Sequence, residues 1–162
     1  MPATSLLRRY AGGEGYADCF ETGVDGTASF EAYVEAFYTT PLFKLERGVL
    51  RWLAARPSSD DEARELAGGR REQFAAWTVE GRAPNQVLLA DYTGRTRSWL
   101  MTAPASPGEG TRLYFGSAVV TRKDAKTGRA SMGFTFDALL GFHKLYSRLL
   151  LGSARSRLQS RL

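Results

Sequence analysis

The chain has 162 residues, one histidine, one cysteine, 43% hydrophobic and 24% charged residues, and a formal net charge of +5. That length and apolar share suit one soluble domain with a core of its own. No apolar run approaches the ~18 residues of a membrane span, and a lone Cys19 cannot form an internal disulfide, which fits a reducing cytoplasm.

The start, "MPATSLLRRYAGGEG", reads as irregular over residues 1–14 and lacks the apolar run of a signal peptide. "YADCFETGV" (16–24) alternates loosely and reads as a first strand. "ASFEAYVEAFYTT" has Phe30, Tyr33, Val34, Phe37 and Tyr38 at helical spacing. Pro41 then opens a second helix with Thr40 as N-cap, placing Leu42, Leu45, Val49, Trp52 and Leu53 on one face. A short third helix carries a capping box, Ser59 with Glu62, and ends at Gly68-Gly69.

The period then changes. "QFAAWTVEGR", "NQVLLADY", "RTRSWLMT" and "GTRLYFGSAVVTR" are β-like runs separated by turn signals, which implies an antiparallel meander. "KDAKTGRASMG" reads as a loop. The helical period returns near Phe134 and runs to about Arg157, leaving 158–162 frayed. The expected fold is a single α+β domain over 1–162: strand, two or three helices, four strands, long C-terminal helix.

Turn geometry suggests which residues share a sheet face. With "TG" (93–94) as a two-residue loop, Leu88 opposes Trp99 and Ala90 opposes Arg97. With "AP" (83–84) treated likewise, Val79 opposes Leu88 and Trp77 opposes Ala90. One face then collects Trp77, Val79, Leu88, Ala90, Arg97, Trp99 and Met101. The other collects Glu80, Val87, Leu89, Asp91, Thr96, Ser98 and Leu100. The first, with both tryptophans, is expected to face the C-terminal helix. Arg97 on it would need a carboxylate, carbonyls or a bound anion.

The C-terminal helix holds the only histidine. Phe136, Leu139, Leu140, Tyr146, Leu150 and Ala154 share its side, so His143 is expected in the middle of an apolar stripe with Ser147 as the other small polar group. A lone histidine so placed is most often a hydrogen-bonded core residue. Ligand contact in a cavity and general acid–base catalysis are the alternatives, the last needing an orienting partner. Arg148, Arg155, Arg157 and Arg161 suit a helix C-terminus and, in the other reading, an anionic surface.

Other chemistry finds little support. One histidine and one cysteine argue against a transition-metal site, and "AGGEG" matches neither phosphate-binding loop. "FGSAV" matches the nucleophile elbow only in part, and Cys19 in a strand is a structural thiol by default. No aromatic-basic module points to nucleic acid.

The order strand, helices, antiparallel meander and long helix resembles the START-like, or helix-grip, superfamily, which includes polyketide cyclase-like and lipid-transfer proteins. The resemblance implies a curved sheet gripping the C-terminal helix with a ligand cavity between them. Three functions follow as expectations. The first is binding of a small apolar or amphipathic molecule, with an acidic group on it met by Arg97, and with His143, Arg97, Trp99, Trp77 and Tyr146 as contacts. The second is a cyclase- or aromatase-like enzyme using His143 as acid–base, with Arg97 stabilising an oxyanion. The third is an interaction module for protein or an anionic surface. No cofactor, metal, nucleic acid or stable membrane insertion is expected. The expected location is cytoplasmic, and a homodimer stays open.

Overall fold

A computed structural model describes residues 1–13, 15–45, 58–106, 110–120, 122–123, 130–131 and 134–162, and their side chains except those of 122–143. Strand β1 (Tyr16–Val24) leads into helix α1 (Phe30–Tyr38). Residues 41–45 are helical, and helix α2 (Asp60–Ala67) follows. Then come β2 (Gln73–Phe74), β3 (Trp77–Ala83), β4 (Gln86–Asp91), β5 (Thr96–Pro104) and β6 (Thr111–Val119). The short strands β7 (Arg122–Lys123) and β8 (Ala130–Ser131) precede helix α3 (Phe134–Gln159). The fold is α+β, as expected.

Local signals explain the helix ends. The Ser29 side chain accepts from Ala32 N, and α1 buries Tyr33, Val34, Phe37 and Tyr38. Thr40 Oγ1 accepts from Phe43 N at 3.2 Å, the cap expected before Pro41. Ser59 and Glu62 form the full capping box, and α2 ends on Gly68 with Gly69 at φ 71°. The expected continuation of the second helix, with Val49, Trp52 and Leu53, lies outside the described residues.

The main sheet has six strands in the order β1-β6-β5-β4-β3-β2, with every neighbour antiparallel. The sequence suggests five, because 73–82 reads as one run. It is interrupted at Ala75, which adopts φ 51° and turns the chain so that Phe74 pairs with Trp77. The predicted loop at 123–133 also differs: its ends pair as β7 and β8.

The β4–β5 register is the expected one, with Leu88 opposite Trp99 and Ala90 opposite Arg97. The β3–β4 register is not. Pro84-Asn85 makes the turn, so Ala83 pairs with Gln86, and a bulge at Glu80 shifts the pairing so that Val79 opposes Leu89. Trp77 and Val79 therefore share a face with Leu89, not with Leu88 and Trp99.

Both sheet faces are covered. On one, Val87, Leu89, Leu100, Leu113 and Phe115 pack in a single core with α1, α2 and the buried side of α3 at Leu150, Leu151, Ala154 and Leu158. Its centre is aromatic: Phe37 lies 4.9 Å from Phe115, and Tyr38 4.8 Å from Phe43. Burying such a side chain contributes about 1.5–3 kcal/mol.

The opposite face carries Leu88, Trp99, Met101, Tyr114 and Ala118. Its cover is the N-terminal segment expected to be irregular. Residues Leu6–Tyr10 form a 3-10 helix started by Ser5, whose hydroxyl accepts from Leu7 N. Leu7 is fully buried against this face. It fits because β6 has a glycine beneath it: a Cβ on Gly116 would lie 2.6 Å from Leu7 Cδ2, 2.7 Å from the Asp18 carbonyl oxygen and 3.1 Å from the Trp99 ring. Gly116→Ala is therefore expected to destabilise the fold by about 1–3 kcal/mol through overpacking. Urea unfolding followed by circular dichroism checks it, and an unchanged midpoint would contradict the packing described.

Candidate functional site

At the end of the sheet where β3, β5 and β6 meet α3, the helix-covered face changes character. Ser98 of β5 pairs with Ser117 of β6, which pairs in turn with Asp18 of β1. The same row of the sheet that is apolar elsewhere becomes hydroxyl and carboxylate here. Small side chains leave space beneath α3, and a cavity of about 160 Å³ results. Its aromatic walls are Phe37, Phe43, Phe115, Trp77 and Tyr146, and its polar ones are Thr96, Ser98, Ser117 and Ser147.

Two side-chain atoms of lining residues are buried and make no hydrogen bond to any described residue: Trp77 Nε1 and Ser147 Oγ. Residue Ser147 is only 1% exposed. A buried polar atom left unbonded costs about 1–3 kcal/mol.

Behind the wall, Asp18 organises the edge. Its Oδ1 accepts from Ser117 Oγ at 2.7 Å, and its Oδ2 accepts from Tyr16 Oη at 3.0 Å. Burial, and then the Asp18 charge, push the Tyr16 phenol up to about 12. The Lys144 ammonium sits 6.0 Å above the Tyr16 ring.

The structure separates the expected site residues. Trp77 and Tyr146 line the cavity. Trp99 does not: it is fully buried on the other face, with Nε1 donating to Gln86 Oε1 at 2.9 Å. Arg97 borders the cavity from β5, but its guanidinium lies with Trp99 on the N-terminal side. There Nε donates to Glu80 Oε2 at 2.7 Å and to Tyr10 Oη at 3.1 Å, while Nη1 donates to the Gly94 carbonyl at 2.6 Å. The arginine's need for a partner is thus met by the bulge residue, which the sequence-derived register placed on the opposite face. The expectation that Arg97 and Trp99 look toward the C-terminal helix is corrected. His143 lies in α3 one turn before Ser147, and its side chain is outside the described residues.

The sequence reading missed Ser98, Thr96 and Ser117 as wall residues. Hydroxyls on alternate positions of 96–98 look like a solvated face. Gly81, directly after a charged residue inside a strand-like run, was the available signal for the bulge. Cys19 is a half-buried thiol on the N-terminal side, opposite Gly116; burial pushes its pKa up, which makes it a poor nucleophile. Among the described residues no helix is long and apolar enough to cross a membrane, and no three of His, Cys, Asp and Glu group as metal ligands.

No family model matches the chain, and no curated protein does. Two solved structures overlap it along most of its length. One is an uncharacterised protein from Rhizobium leguminosarum, 14% identical, covering 91% of this chain and 96% of that one at a TM-score of 0.40. The other is the C-terminal domain of a protein from Deinococcus radiodurans, 11% identical, covering 84% and 94% at a TM-score of 0.31. At those scores the likeness carries no argument about activity.

Two predictions follow from the polar contacts. With Arg97 14% and Glu80 22% exposed at the side chain, Glu80→Gln is expected to lower stability by about 1–3 kcal/mol, because it weakens a charge-assisted bond and strands a largely buried cation. Chemical denaturation measures it, and no loss would show the pair to be incidental. For Tyr16, the raised pKa means that the neutral phenol is favoured by the fold. Its stabilisation is complete below pH 10 and is lost as the pH rises through about 12. Unfolding midpoints between pH 9 and 11.5 should therefore fall more steeply in the native chain than in Tyr16→Phe, and parallel slopes would contradict the contact with Asp18.

Proposed function

We propose that this chain binds a small apolar or amphipathic molecule in the cavity between the sheet and α3. The observation that carries the reading is a cavity of about 160 Å³ with aromatic walls and the hydroxyl residues Thr96, Ser98, Ser117 and Ser147 among its lining. A well-packed core fills its space; here the core leaves a pocket between sheet and helix. Ligand sites combine a largely apolar lining with a few convergent polar groups, as here.

The order of elements, with the sheet laid against the C-terminal helix and a cavity between them, supports reading the chain as START-like. An acidic ligand group loses its expected partner, since Arg97 is bonded to Glu80 on the other face. The cyclase-like reading has less to stand on, because its oxyanion partner was to be Arg97.

Native mass spectrometry of the purified protein tests the proposal. A retained molecule of low mass, released on denaturation and absent from a variant with the cavity filled (Ser98→Leu), is the expected result. A bare chain mass, together with a crystal structure showing a closed and dry space beside Ser147, would overturn it.

A further inference from the structure

The last stretch of the chain is one-sided in charge. After Asp137 it holds no acidic residue, while Lys144, Arg148, Arg155, Arg157 and Arg161 are basic. Arg161 turns to Glu35, with Nη1 3.3 Å from Oε1. Lys144, Arg148 and Arg155 are exposed, and none of the three has a carboxylate partner among the described residues. They fall within about 40° of one another around α3 and span about 16 Å of its length.

Each is held against strand β1 by a contact that leaves its charge in place. The Lys144 ammonium stands 6.0 Å over the Tyr16 ring, and the Arg148 guanidinium 5.6 Å over the Phe20 ring. Arg155 Nε donates to the Gly23 carbonyl at 2.7 Å. The acids of β1 have other partners. Asp18 accepts from Ser117 and Tyr16, and Glu21 pairs with Arg112 at 3.6 Å. Asp25 lies beyond the row, where its N–H donates to Gln159 Oε1.

Beside this row α3 holds two leucines in water. Leu145 is 56% exposed and Leu149, one turn on, 52%. Arg148, Leu149 and Arg155 border one open groove, so cations and leucine share a surface. Gly152, Ser153 and Ser156 lie among them and keep that surface shallow. An anionic bilayer meets both features at once. Its phosphates attract the cations, and the leucines enter the boundary between headgroups and acyl chains. A nucleic acid would use the cations and leave the leucines in water. A protein partner needs a larger apolar centre than two leucines beside a glycine and serines. We propose that the outer face of α3, from Lys144 to Arg155, is a docking surface for anionic lipid bilayers, bound reversibly and without insertion of the helix across them.

Co-sedimentation of the full chain with phosphatidylcholine vesicles, with and without about 30 mol% phosphatidylglycerol, tests this at about 0.1 M salt. Binding is expected on the anionic vesicles and at least about tenfold weaker on phosphatidylcholine alone. It should fall as salt is raised, and by about fivefold for each charge removed in Lys144→Gln and Arg148→Gln. Leu145→Gln with Leu149→Gln should weaken it about tenfold. Arg70→Gln removes an exposed cation beyond α2, and should change binding by less than about twofold. Glutamine keeps helix propensity at the α3 positions, and circular dichroism verifies each fold. No binding of the folded chain to anionic vesicles, equal binding to both compositions, or an equal loss in Arg70→Gln would overturn the proposal. So would anionic binding that ignores the leucine pair. A DNA oligonucleotide held more tightly than the vesicles by the same cations would assign the row to nucleic acid instead.

Discussion

Gln86 holds the fold's two halves in relation to each other. Its side chain is buried, 4% exposed, and bonded through both its oxygen and its nitrogen. Oε1 accepts from Leu6 N and from Trp99 Nε1, each at 2.9 Å, and Nε2 donates to the Thr4 carbonyl at 3.0 Å. One amide thus ties a segment remote in sequence to the sheet and satisfies the indole of the largest buried side chain. Without it, two donors would be stranded in an apolar setting, and the segment over Trp99 would lose its anchor. Around this point Leu7 seats against Gly116, and the ring of Tyr10 stacks 5.0 Å under the Arg97 guanidinium.

The consequence for function is one of allocation. A sheet of this kind offers two faces, and the N-terminal cover closes the middle of one. Trp99, Arg97 and Glu80 belong to that covered face, where each has a hydrogen-bond partner within the protein. The face toward α3 is different. Near its centre it is packed with leucines and phenylalanines, and near one end it carries serines and a threonine that leave space. The two tryptophans of the sheet show the contrast directly. Trp99 has its N–H bonded and its ring sealed, whereas Trp77 lines the cavity and has its N–H unbonded to any described residue.

Much of the fold was legible in the chain because its signals are local. Thr40 before Pro41, Ser59 with Glu62, and Gly68-Gly69 each mark a helix end through bonds that span only a few residues. The β4–β5 register was legible because Asp91 closes the turn, accepting from Arg95 N and Thr96 N, and Gly94 supplies the positive φ. The face assignment failed for reasons that are not local. A bulge at Glu80 moves one strand by a single residue, and that reverses which side Trp77 shares. The N-terminal cover could not be read either, since "SLLRRY" has no periodicity of its own and acquires structure only by docking. Of the site, Tyr146 and Ser147 were legible from helical spacing, whereas Trp77 faces α3 through a register that the spacing did not predict. Ser98 and Ser117 were not, because a hydroxyl row lining a cavity and a hydroxyl row facing water have the same pattern.

The account stands on the difference between the two faces, and the indole N–H resonances of Trp77 and Trp99 report it in one experiment. A nitrogen-15 correlation spectrum recorded with and without phenol, a small amphipathic probe of the cavity, reads both at once when assigned with Trp→Phe variants. The account predicts that the Trp99 indole exchanges slowly with solvent and is unmoved by phenol, while the Trp77 indole shifts. A Trp99 signal that moves while Trp77 stays fixed would contradict it.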